Sequence, residues 1–122
     1  MFDHVVFGVN DYEVSKAFFI SVLETLGDLR ISEGPMGVEL FRNNDTTSLC
    51  LRREGEVAAP LHIAFKADTR EQVNQFYTAA LSAGGLDNGP PGLRTDYHAN
   101  YYAAFVIGPD GHNIEMVCHA LE

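Results

Sequence analysis

The 122-residue chain has no tryptophan, two cysteines, and eight Lys and Arg against seventeen Asp and Glu. Each scarcity excludes something. Cys50 and Cys118 are too few for a disulfide framework and lack the spacing of a paired-cysteine metal site, so a reduced, cytoplasmic setting is expected. A net charge of −9 with no basic run argues against nucleic acid and against an anionic membrane surface. No apolar stretch approaches the roughly 18 residues of a membrane-spanning helix. Asp3 and His4 interrupt the N-terminus before a signal region can form, so no signal peptide is expected. No glycine fingerprint leads from a strand into a helix, no serine stands in a nucleophile elbow, and no Cys–His arrangement is evident. Linkers and low-complexity segments are missing too. Apolar residues make up 46% of the chain and are evenly spread, which excludes disorder and fits one domain, residues 1–122.

What is present is a repeat. Shifting the chain by 58 residues aligns His4 with His62, Phe7 with Phe65, Glu13 with Glu71, Phe18 with Phe76, Leu23 with Leu81 and Gly27 with Gly85. These six identities fall in an ungapped 24-residue window. The pairs Val5/Ile63 and Phe19/Tyr77 support them, so the chain reads as two copies of one supersecondary unit, residues 1–58 and 59–122.

Each copy starts with a strand. Phe2–Val9 sets Val5, Phe7 and Val9 on one face and His4, Val6 and Gly8 on the other. Leu61–Ala67 sets Leu61, Ile63, Phe65 and Ala67 against His62, Ala64 and Lys66. The period of two assigns the bulky faces to packing and each histidine to the opposite side. Helices follow, capped by Asp11 and by the capping-box pair Thr69 and Gln72, with stripes Val14, Phe18, Val22, Leu26 and Val73, Phe76, Tyr77, Leu81. Gly27 and Gly84-Gly85 end them. Three strand-like runs complete each half: 29–33, 38–42 and 47–53, then a run near Leu86, 101–107 and 113–119. Gly34-Pro35, Asn43-Asn44-Asp45, Gly89-Pro90-Pro91-Gly92 and Gly108-Pro109-Asp110-Gly111 are expected turns between them. The fold class is α+β: two βαβββ modules whose curved, mixed sheets enclose a cleft.

His4 and His62 are expected to point into that cleft. In the last strand Ile114, Met116 and Cys118 form a packing face, which turns Glu115 the other way. A carboxylate inside an apolar strand is costly to bury without a cation or donor. Two imidazoles and a carboxylate suit a divalent ion such as Fe, Mn, Ni, Co or Zn, with positions open for water and a small-molecule substrate.

The stretches Asp3-His4-Val5-Val6-Phe7, Leu61-His62-Ile63-Ala64-Phe65, Tyr101–Val106 and, most specifically, Gly108-Pro109-Asp110-Gly111-His112-Asn113-Ile114-Glu115 resemble the vicinal oxygen chelate superfamily. That superfamily contains glyoxalase I, the fosfomycin- and bleomycin-resistance proteins and the extradiol dioxygenases. The resemblance spans essentially the whole chain. It implies paired βαβββ modules, a homodimer, and a metal held by first-strand His, fifth-strand His and last-strand Glu, which here are His4, His62 and Glu115. Superposing the modules sets Cys50 opposite Glu115, where glyoxalase I-like members carry a further carboxylate. A thiol is a poor substitute for a base moving a proton at carbon, which argues against glyoxalase I chemistry. The expectation is a metal-dependent lyase, transferase or dioxygenase binding vicinal oxygens. The alternative is a non-catalytic sequestering protein of the bleomycin-resistance type, whose acidic cleft would suit a cationic guest. Both a cleft closed within one chain and one shared by module exchange satisfy the pattern.

Tyr101 and His98 are candidates for catalytic contacts, since a hydroxyl there can bind an oxyanion and an imidazole can move a proton. Only one of Tyr101 and Tyr102 can face the cleft. Arg94 is the nearest basic candidate for binding substrate, and there is no Lys/Arg cluster for a phosphonate. His119 shares the parity of Glu115 close to the C-terminus. His112, beside the turn, is expected at the surface, and Cys118 in packing.

Overall fold

The two halves fold alike. A computed structural model describes residues 1–121, and Glu122, the last residue of the second module, lies outside them. The first half runs β1 (His4–Gly8), α1 (Tyr12–Leu23), β2 (Leu29–Gly34), β3 (Gly37–Arg42) and β4 (Ser48–Arg52). The second runs β5 (His62–Ala67), α2 (Arg70–Ser82), β6 (Leu86–Leu93), β7 (Tyr102–Ile107) and β8 (Asn113–Cys118). The helix starts follow their capping chemistry. Asp11 accepts from the Val14 N–H. Thr69 and Gln72 form the full reciprocal box, each side chain accepting from the other's backbone N–H at 3.2 Å. Such caps contribute about 1 kcal/mol each.

The strands form two four-stranded mixed sheets, ordered β1-β4-β3-β2 and β5-β8-β7-β6. In each, the first strand runs parallel to the last, and the remaining pairs are antiparallel. Val6 pairs with Cys50 and Ala64 with Glu115, so the superposition of modules holds residue for residue. Between the sheets sits one shared core. It takes Val38, Leu40, Leu49 and Leu51 from the first sheet, Phe18, Phe19 and Val22 from α1, Val73 and Phe76 from α2, and Ala104, Val106, Ile114 and Met116 from the second sheet. Full burial of such side chains is worth roughly 1.5–3 kcal/mol apiece, which commits each sheet's bulky face inward. Alternation then turns both histidine-bearing faces away from the core. The helices lie between the sheets, and the chain does not close its two histidine faces on each other.

Four local expectations change. The motif Gly89-Pro90-Pro91-Gly92 is not a turn but part of β6, where prolines are tolerated because β6 is an edge strand and its pairing with β7 slips twice. The buried stripe of α1 is Phe18, Phe19, Val22 and Leu23, so Val14 falls off it and is exposed. In α2, Ala80 takes the buried position beyond Phe76 and leaves Leu81 at the surface. His112 is wholly buried, its ring edge-on to Phe7 at 5.2 Å and its Nδ1 accepting from the Leu61 N–H at 2.9 Å. The turn before β8 therefore docks on β1 and β5. Asp110 adds a tie by accepting from the Asn10 N–H.

Candidate metal and substrate site

Glu115 is the centre of the second sheet's outer face. Its strand neighbours in register are Ala64 and Phe105. It is 2% exposed, yet its carboxylate is fully partnered: His62 Nε2 lies 2.8 Å from Oε1, and the Tyr101 hydroxyl donates to Oε2. His62 itself is open, with 55% of its side chain exposed. Burial, and then the hydrogen bond to Glu115, push the Tyr101 phenol up to about 12, so it stays a donor throughout the neutral range. The parity question is settled: Tyr101 faces Glu115, whereas Tyr102 turns to α2, bonds Asn74 Oδ1 at 2.7 Å and lies under Arg70.

Tyr101 is wedged among rings. Tyr97 lies 4.7 Å and His98 5.2 Å from it, centroid to centroid, and His119 stacks on His98 at 4.8 Å. His98 is exposed and touches Tyr101 rather than Glu115. Arg94 follows β6 and bonds Tyr101 through the backbone. Its guanidinium sits 5.4 Å over the Phe105 ring and donates to the Pro90 carbonyl at 2.7 Å. Phe105 was readable as a site residue from the strand alternation once the β7–β8 register is known; the sequence alone does not supply that register. It joins Ala103 and Val117 in a small apolar floor beside Glu115.

His4 is elsewhere. It opens β1 on the outer face of the first sheet, pairs in register with Ser48, and bonds Asp3 Oδ1 through Nδ1 at 2.6 Å with 54% of its side chain exposed. That face carries a depression of about 330 Å³ lined by first-module residues, including His4, Val6, Glu39, Cys50 and Arg52. Glu39 pairs in register with Cys50 and accepts from Ser48 Oγ at 2.7 Å. One chain thus unites His62, Glu115 and Tyr101 and leaves His4 on a separate face. Among the described residues no three His, Cys, Asp or Glu side chains gather as one ion requires. The pair present, an imidazole and a buried carboxylate, offers a divalent ion two ligands.

The family model for the Glyoxalase/Bleomycin resistance protein/Dioxygenase superfamily matches residues 1–116. The chain belongs to this superfamily. A glyoxalase/bleomycin resistance protein from Albidiferax ferrireducens T118 is 30% identical, with a TM-score of 0.81 over 97% of this chain and 98% of that one. A family enzyme from Burkholderia phytofirmans PsJN shares the fold at 16% identity and a TM-score of 0.71, covering 97% and 98%. The oxidase ChaP-H2 does so at 22% and 0.66, covering 97% and 92%. No curated protein matches the sequence. Within this superfamily the chain has the paired βαβββ modules throughout, and no described helix is long and apolar enough to cross a membrane.

Proposed function

We propose that the protein is a metal-dependent cytoplasmic enzyme whose site is completed in a homodimer, with His62 and Glu115 of one copy and His4 of the other as ligands. The observation that carries this reading is the orientation of the two modules. Glu115 and His62 lie together on one open face, His4 lies on another, and both faces point away from the shared core. A second copy brings a first-module face over a second-module face. Fe, Mn, Ni, Co or Zn all accept this donor set. Held there, a divalent cation supplies a Lewis acid for two adjacent oxygens of a small substrate, polarising a carbonyl or stabilising an enolate or alkoxide. The chain's own groups prepare the face. Tyr101 holds Oε2 of Glu115, which leaves Oε1 on the side of His62. Phe105, Ala103 and Val117 provide a dry floor, and the exposed His98 imidazole is the candidate for moving a proton. These roles fit a lyase, transferase or dioxygenase.

One observation favours the sequestering alternative: among the described residues of one chain, only His62 and Glu115 of the three candidate ligands come together. Elemental analysis of untagged protein separates the two. The enzyme reading expects close to one ion per chain, lost in both His4→Ala and Glu115→Ala; no metal under any supplementation supports sequestration.

A further inference from the structure

The chain is strongly acidic, so where its few cations remain free is informative. Lys16, Arg30, Arg42 and Arg53 are in ion pairs, and Arg70 covers the Tyr102 ring. The other three, Arg52, Lys66 and Arg94, are in no ion pair among the described residues, and all three lie on the two open faces. Arg52 lines the depression beside His4. Lys66 shares the strand face of His62 and Ala64, and pairs in register with Val117, two residues past Glu115. Arg94 is the most organised of them. Its guanidinium is fixed from one side by the Pro90 carbonyl and from below by the Phe105 ring.

Gly89 and Gly92 keep this seat open. A Cβ on Gly89 would stand 3.2 Å from Arg94 Nη2 and 3.0 Å from the Phe105 ring, and one on Gly92 would stand 3.1 Å from Arg94 Nη1. Phe105 also adjoins the ligand pair. It is the register partner of Glu115, and the His62 ring lies 6.3 Å from it. One aromatic ring therefore bridges the carboxylate–imidazole pair and a tethered guanidinium that has donors to spare.

We infer that this face binds an organic anion whose carboxylate is received by the spare donors of Arg94, held in place over the largely buried Phe105 ring. A planar fork of N–H donors matches a carboxylate, and the apolar floor strengthens the charge-assisted bond by excluding water. The free cations disfavour a cationic guest. The inference rests on the reading that the His62–Glu115 face is the substrate face, and it specifies that substrate as an acid.

The test uses the whole protein without added metal, titrated with benzoate, benzamide and benzylamine and followed by amide ¹H–¹⁵N shifts. Benzoate is expected to perturb residues around Phe105 and Arg94. Benzamide and benzylamine should bind about tenfold more weakly or worse, as the loss of a charge-assisted hydrogen bond implies. Arg94→Gln should cost benzoate a similar factor, and Arg94→Lys should fall between, with unchanged circular dichroism showing that both fold. No benzoate binding at tens of millimolar, equal affinity for the three probes, or indifference to Arg94→Gln overturns the inference. Metal uptake by the same protein, measured separately after supplementation with Fe, Mn, Ni, Co and Zn, separates the two claims. Arg94-dependent benzoate binding in a chain that takes up no metal leaves the acid site standing and removes the enzyme reading. Metal uptake with benzoate indifferent to Arg94 does the reverse.

Discussion

The hydroxyl of Tyr101 donates to Glu115, a carboxylate that is almost wholly buried in the adjacent strand region, and His62 holds the other oxygen. A buried carboxylate deprived of one donor keeps its desolvation cost. Tyr101→Phe is therefore expected to destabilise the fold by about 1–3 kcal/mol in urea denaturation. The phenol is also a pH marker. Its folded value, about 12, lies above the ordinary 10, so its contribution is complete below pH 10 and is lost as pH climbs from 10 towards 12. Partial burial, and then its hydrogen bond to Glu33, raise half-buried Tyr12 to about 12 as well. Absorbance titration should show a late ionising pair among the five tyrosines, with Tyr101→Phe and Tyr12→Phe each removing one member.

His112 gives the opposite pH dependence. Burial lowers its pKa below the usual histidine value of 6.5. The unfolded chain then binds a proton that the folded chain refuses, so the neutral ring's contribution is complete above pH 6.5 and is lost as pH falls below it. Stability measured from pH 8 down to pH 5 should decline, and His112→Asn should flatten that decline. The variant also loses packing against Phe7, at a cost of about 1–3 kcal/mol at pH 8.

Gly27 and Gly85 occupy equivalent places in the repeat for different reasons. Gly27 has φ 78° and ψ 156°, a region essentially closed to other residues, while space around it is free. Gly85 needs room: a Cβ there would stand 2.4 Å from Val106 and 2.8 Å from the Ala80 carbonyl. Alanine at either site is expected to cost about 1–3 kcal/mol. At Gly85 alone, the smaller side chain of an accompanying Val106→Ala should recover part of the loss, and a denaturation double-mutant cycle measures this.

Much of this was legible in the sequence because it is local. The alternation in β1 and β5, the Thr69–Gln72 cap and the 58-residue offset predicted two βαβββ units and set each histidine opposite its strand's packing face, but the cleft expected to receive both histidines does not form within one chain. The burial of His112 was not legible, since it depends on the turn before β8 folding back onto Phe7 and the Leu61 N–H. Nor was the place of Gly89-Pro90-Pro91-Gly92, whose prolines read as a turn until the edge position of β6 is known. The site divides the same way. His62 and Glu115 meet because parallel pairing of β5 with β8 sets Ala64 beside Glu115. Where His4 lies relative to them depends on which way the modules pack about the helices, which no strand pattern encodes.

The central claim is that the ligand set is divided between two copies. His4→Ala and Glu115→Ala chains, carrying different non-histidine tags, can be produced together and the hybrid dimer isolated. A site shared across the dimer restores one complete ligand set in the hybrid and destroys both in either parent. Metal analysis should then find one ion per hybrid dimer and essentially none in the two homodimers. A hybrid as empty as its parents, beside a wild-type protein that holds metal, would contradict the account.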